Sequence, residues 1–109
     1  MELFVLGLSH KTASIDVRER LAIPEREIPK ALEALGEVPE LAERMCFTTC
    51  NRAEVYGVTE GPLAKAIEAT RAGLERYRHL ASSALPGALS AYAGAAAVRH
   101  VFRVASSVD

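Results

Sequence analysis

The sequence holds no run near the roughly 20 consecutive apolar residues that a membrane-spanning helix requires. Nor does it begin like a secretory signal, because Glu2 stands where a basic segment would be and the apolar run Leu3–Leu8 is short. A cytoplasmic location is the expectation. The seven glycines (Gly7, Gly36, Gly57, Gly61, Gly73, Gly87, Gly94) form neither a G-x-G-x-x-G nor a phosphate loop, so no known device cradles a dinucleotide or nucleoside triphosphate. Any redox cofactor site lies elsewhere. Cysteine is scarce: Cys46 and Cys50 stand four apart in strand-like sequence, about 13 Å at about 3.3 Å per residue, too far for a disulfide. Both are expected as free thiols, and without a second pair or a nearby His they make a poor zinc site, so no metal is expected. Charge of one sign is missing too, since 13 basic residues against 14 acidic ones leave a net charge of −1. Binding nucleic acid mainly through phosphates usually takes a strongly basic domain, so any contact with RNA must be local.

What is present reads as one α+β domain. At 109 residues, 50% of them apolar, the chain can bury a modest core. Glu2–Leu8 is a nearly continuous apolar run, as in a central strand. After the polar turn Ser9-His10-Lys11-Thr12, Ser14 can cap a short helix to about Leu21, which Pro24 ends. A second helical piece runs from about Glu27 to Leu35, with Ile28, Leu32 and Leu35 on one face and Gly36 at its end. Leu41–Arg44 reads as one more helical turn. The strands Met45–Thr49 and Ala53–Thr59, joined at Cys50-Asn51, read as a β-hairpin. Gly61-Pro62 opens the clearest helix, where Leu63, Ala66, Ile67, Thr70, Leu74 and Tyr77 recur at helical spacing and Arg71, Glu75, Arg76 and Arg78 line the outer side. Ser82–Gly87 is a loop and Ala88–Ala93 a weak strand. The tail Ala95–Ser106 is a helix with Val98, Val101, Phe102 and Ala105 facing inward and Val104 broadening that face. The order β-α-β-β-α-β-α predicts a ferredoxin-like plait, an antiparallel sheet with helices packed on one face.

The hairpin tip carries the candidate chemistry. Cys50 at a turn is presented outward, Arg52 can favour its thiolate, and turn N–H groups can face a developing oxyanion. An idle surface thiol is the competing reading. A cysteine nucleophile generally needs a base, and three histidines are available. His79 reads as solvent-facing, and His10 follows the first strand, where functional side chains are frequent. His100 is either a satisfied residue at the core's edge or, if its helix packs near the hairpin, a general acid or base. Arg52 is either an ion-pair partner of Glu54 or another surface acid, or a bidentate clamp for a substrate carboxylate. Thr48 and Thr49 are hydroxyl donors to a polar substrate or simply β-branched strand residues.

Three segments together resemble one family: Gly7-Leu8-Ser9-His10-Lys11-Thr12-Ala13, Thr48-Thr49-Cys50-Asn51-Arg52-Ala53-Glu54-Val55-Tyr56, and the helix from Ala97 to Ser106. Their order and separations resemble the N-terminal catalytic domain of the glutamyl-tRNA reductase family over essentially the whole chain, the Thr-Cys-Asn-Arg hairpin being the most specific part. The resemblance implies that Cys50 attacks the ester joining glutamate to its tRNA and leaves a thioester, which hydride from NADPH reduces to glutamate 1-semialdehyde for 5-aminolevulinate and tetrapyrrole synthesis. Thr49, Cys50, Asn51 and Arg52 would hold the glutamyl group, Arg52 pairing with its side-chain carboxylate, and His100 takes the place of the family's catalytic histidine. Ser106-Ser107-Val108-Asp109 departs from the family's usual Ser-Gly-Leu-Asp. The chain is expected to be a fragment whose NADPH-binding and helical dimerisation domains are missing. The whole enzyme is expected to be a homodimer that passes its product to glutamate 1-semialdehyde aminomutase. On the residues alone, a stand-alone cysteine-dependent thioesterase or acyltransferase and a non-catalytic α+β binding module remain as alternatives.

Overall fold

The computed structural model describes residues 1–9, 23–49, 52–78 and 90–106. Within them, strands β1 (Glu2–Ser9), β2 (Glu43–Thr49), β3 (Arg52–Thr59) and β4 (Ser90–Ala93) form one sheet in the order β2-β3-β1-β4. Every neighbouring pair is antiparallel. Helix α1 (Ile28–Leu35), preceded by a 3-10 turn at Glu25–Glu27, lies between β1 and β2, and α2 (Leu63–Tyr77) lies between β3 and β4. Helix α3 (Ala95–Ala105) follows β4. Each helical crossover therefore skips one sheet position, which is the interleaved arrangement of the ferredoxin-like plait. The α+β class stands as expected.

In an antiparallel ladder, residues directly opposite each other share a face. The register Leu6↔Val55 and Leu8↔Ala53 on β1–β3, with Cys46↔Val55 on β2–β3, defines the face that carries most of the core. Phe4, Leu6, Ala53 and Val55 are buried there against Ala31 and Leu35 of α1, Ala66 and Leu74 of α2, and the connecting residues Val38 and Leu41. Helix α2 buries the stripe Ala66, Thr70, Gly73, Leu74, and the Thr70 hydroxyl is satisfied by donating to the Ala66 carbonyl at 2.8 Å. Gly73 is a place of close approach rather than a simple weakness, since a Cβ there would lie 3.1 Å from Val38 Cγ2. Glu75, expected on the outer side, is instead buried. Arg71 one turn earlier makes that tolerable by donating Nη1–H to Glu75 Oε1 at 2.6 Å while also holding Glu68.

Two further expectations are corrected. Leu41–Arg44 forms no helical turn: the Leu41 N–H donates back to the Val38 carbonyl at 3.1 Å, and Glu43 and Arg44 already belong to β2. The helices are also not confined to one face. Helices α1 and α2 share the main core, whereas α3 packs on the opposite side, where Val5 and Tyr56 meet Ala97, Leu3 and Val101. Its inward stripe is Ala97, His100, Val101 and Val104: Val101 and Val104 turn inward as expected, whereas Val98, Phe102 and Ala105 do not. Val98 is 45% and Phe102 68% exposed. The small, fully buried Ala97 lets the helix approach the sheet closely, and that approach fixes which side turns inward. Gly94 makes the abrupt entry possible, with φ of 58°, while its N–H donates to the Leu3 carbonyl at 3.0 Å. The expected Ser14–Leu21 helix, the Ser82–Gly87 loop and the first residues of the Ala88–Ala93 strand lie outside the described residues.

Gly7 faces Glu54 across the β1–β3 ladder. A Cβ on Gly7 would lie 2.4 Å from the Ala53 carbonyl oxygen and 2.8 Å from Glu54 Cγ, so Gly7→Ala must displace β3 backbone. The substitution is expected to cost about 1–3 kcal/mol in a urea titration, as overpacking does. Gly61→Ala, whose nearest neighbour would be Thr59 Oγ1 at 3.9 Å, is expected to stay within about 0.5 kcal/mol of the parent.

Candidate functional site

The period of a strand puts Arg52, Glu54 and Tyr56 of β3 on one face, the face that α3 covers. All are buried, with Glu54 only 7% exposed. A carboxylate is tolerated there because every direction around it is answered. Tyr56 donates its hydroxyl to Oε1 at 2.8 Å. Arg52 donates Nη1–H to Oε2 at 3.2 Å, and His100 Nε2 lies 2.6 Å from the same oxygen. With the carboxylate oxygen as acceptor, His100 Nε2 is the donor in this contact. Tyr92 of β4 stacks on the His100 ring at 4.5 Å between centroids and 18° between planes.

Arg52 and His100, singled out separately in the sequence, are thus joined through a carboxylate that the sequence pattern did not mark as a site residue. Arg52 does pair with Glu54, but as a buried pair rather than the surface one expected. His100 is buried and hydrogen-bonded at the core's edge, and it is also next to Arg52. Thr49, exposed, pairs with Arg52 at the end of the β2–β3 ladder and shares its face. Thr48 points to the other side, its hydroxyl reaching the Arg52 carbonyl at 3.5 Å, which suits a strand residue. Cys50 and Asn51 link Thr49 to Arg52 along the chain but lie outside the described residues, as do His10 and His79. Glu54, Tyr56 and Tyr92 were missed. The signal for the first two was available, since a charge at Glu54 between Arg52 and Tyr56 at alternate positions puts all of them on one side of a strand.

Cys46 is of a different kind. It lies on the main-core face opposite Val55, half-buried, and burial pushes its thiol up to about 11 against a small opposing pull from Arg44. Among the described residues no three His, Cys, Asp or Glu side chains gather as a metal-binding set.

Residues 6–109 match the family model described as Glutamyl-tRNAGlu reductase, N-terminal domain. Over 109 residues the chain is 44% identical to a glutamyl-tRNA reductase of Trichlorobacter lovleyi, covering all of this chain and 25% of that protein. With the glutamyl-tRNA reductase of Geobacter metallireducens the identity is 42%, again over 25% of its length. Among solved structures, Glutamyl-tRNA Reductase from Methanopyrus kandleri is similar with a TM-score of 0.60 and 27% identity, over 97% of this chain and 22% of that one. The chain spans about a quarter of the length of the curated relatives it matches.

Two measurements test this arrangement. Glu54→Ala takes a carboxylate away from a buried guanidinium and imidazole and is expected to cost about 3–5 kcal/mol in denaturant titrations. The Glu54→Ala/Arg52→Ala double variant is expected to cost less than the sum of the two single changes. In a Cys50→Ser background Cys46 is the remaining thiol. Its raised value keeps it protonated, so iodoacetamide is expected to label it slowly at pH 8 and faster only as the pH approaches 11. Rapid labelling of the folded chain at pH 8 would contradict its burial.

Proposed function

The chain belongs to the glutamyl-tRNA reductase family through its N-terminal domain, and from that membership we propose that it performs the acyl-transfer half of that family's reaction. Cys50, as the thiolate, attacks the carbonyl carbon of the ester joining glutamate to the 3′-terminal ribose of tRNA(Glu). The C–S bond forms, the C–O bond breaks, and the ribose oxygen leaves with the electron pair and takes up a proton. His100, held by Glu54 through Nε2, relays that proton from thiol to leaving oxygen. Thr49, Asn51 and Arg52 hold the glutamyl group, with Arg52 toward its side-chain carboxylate and Glu54 fixing the plane of the guanidinium. The observation that carries this reading is the buried carboxylate of Glu54, which holds Arg52 beside it and His100 from 46 residues further along the chain.

The second half of the reaction, reduction of the thioester to glutamate 1-semialdehyde, requires NADPH. The residues present here do not fit that cofactor: the glycines lack the dinucleotide fingerprint, and the described sheet has no adjacent parallel strands with a glycine-rich strand-to-helix turn. Cofactor binding, homodimerisation and delivery of the product to glutamate 1-semialdehyde aminomutase are assigned to the remaining length that the relatives possess. The proposed setting is the cytoplasm, at the start of 5-aminolevulinate and tetrapyrrole synthesis. No helix among the described residues is long and apolar enough to cross a membrane.

Incubation with tRNA(Glu) charged with radiolabelled glutamate, followed by acid quenching, is expected to leave label on the protein. Cys50→Ser should abolish that label, and His100→Ala should slow its appearance by about 10²–10⁴-fold. A well-folded sample with no Cys50-dependent deacylation would refute the assignment, and turnover of small thioesters without tRNA would favour a stand-alone thioesterase.

A further inference from the structure

Beside His100 the surface is hollowed into a depression of about 260 Å³ lined by Tyr92, Ala96, Arg99, His100 and Arg103. We propose that this depression seats the terminal nucleotide of the single-stranded acceptor end of the aminoacylated RNA, with Arg99 and Arg103 gripping its phosphate. The inference rests on the acyl-transfer reading and extends it from the glutamyl group to the RNA that carries it.

Charge is the first support. The sequence of α3, Ala95–Ala105, contains two arginines and no acidic residue, in a chain whose net charge is −1. Arg99 and Arg103 stand one helical turn apart, so their side chains leave the same side of α3, and both residues are exposed. Each guanidinium offers a forked pair of N–H donors that suits two phosphate oxygens. This is also the local contact that a chain without a basic excess needs if it is to hold RNA.

Position is the second support. His100 belongs at once to the lining of the depression and to the buried cluster, where its Nε2 bonds Glu54. An aminoacyl ester hangs from the terminal ribose of its RNA, so a glutamyl group directed at Arg52 leaves that ribose next to His100 and its nucleotide in the depression. Size agrees as well. The volume falls just below the range of about 300–1,000 Å³ typical of pockets for drug-sized ligands, which suits one nucleotide rather than a longer stretch. Tyr92, stacked on His100 through one face of its ring and 38% exposed, adds an aromatic group to the lining, the kind of group against which unpaired bases settle.

Fluorescence anisotropy with an uncharged, fluorescein-labelled hairpin RNA bearing the single-stranded 3′ tail of a tRNA tests the site without involving Cys50. Arg99→Ala/Arg103→Ala is expected to weaken binding at least tenfold and to lower the slope of log K against log salt by roughly 0.7, the share of one phosphate left unneutralised. The Arg99→Lys/Arg103→Lys variant, with an unchanged thermal melt, should recover part of the affinity, and removing the tail from the RNA should cost the parent chain as much as the alanine pair does. Failure of the parent to bind, unchanged affinity in the alanine pair, parent binding that is indifferent to removal of the tail, or equal competition by polyglutamate as expected of an acidic protein partner would each overturn the proposal. Tail-dependent binding without any acyl-enzyme would sink the acyl-transfer reading and leave this site standing. Acyl-enzyme formation indifferent to the alanine pair would do the reverse.

Discussion

The Glu54 carboxylate is the constraint from which the rest of this site follows. A charge taken out of water is costly unless donors surround it, and here donors reach it from its own strand and from a helix that begins some forty residues later. Arg52 and Tyr56 are available because they flank Glu54 at alternate positions of β3. His100 is available only if α3 lies across the sheet at one particular height. The network therefore couples the seat of α3 to the register of the central strands, and a helix packed through little else than Ala97 and Val101 gains a definite position.

Strand β3 separates two tasks by its alternation. Ala53 and Val55 face the core formed with α1 and α2, which supplies most of the buried apolar area, while Arg52, Glu54 and Tyr56 face α3. Polar chemistry on one side is tolerated because stability comes from the other. The free thiol among the described residues fits the same division: Cys46 belongs to the core face, where desolvation holds it protonated and inert.

The elements that could be read from the sequence were those whose signal is local. β1, the hairpin strands and α2 have long, regular patterns and short, marked ends, and all appear within a residue or two of their expected limits. The face of α3 was misread because Val98, Val101, Phe102 and Ala105 form as good an apolar stripe as Ala97, His100, Val101 and Val104. Periodicity alone ranks Phe102 above Ala97 as a core residue, and close packing against Val5 and Tyr56 reverses the order. Leu41–Arg44 was misread because nothing local reveals that Arg44 Nε will donate to the Leu32 carbonyl at 2.5 Å. Within the site, Arg52 and His100 were legible as types suited to the chemistry. Glu54 shares a strand face with Arg52 and Tyr56 in the sequence, but that alternation does not say the face is buried, and the helix that covers it comes from some forty residues later.

Small residues mark where this polar cluster had to be admitted. Gly7 stands directly opposite Glu54 in the ladder, and a Cβ there would run into the Ala53 carbonyl oxygen and Glu54 Cγ. Ala97, one turn before His100, brings α3 close enough for an imidazole to reach across to β3, where a larger residue would hold the helix away. As propensities, a glycine in a central strand and an alanine on the inward side of a helix are weak choices. Beside the groups they face, both are the voids into which charged side chains are packed. In a chain this short, the position of a missing side chain locates the site as directly as the side chains that carry the chemistry.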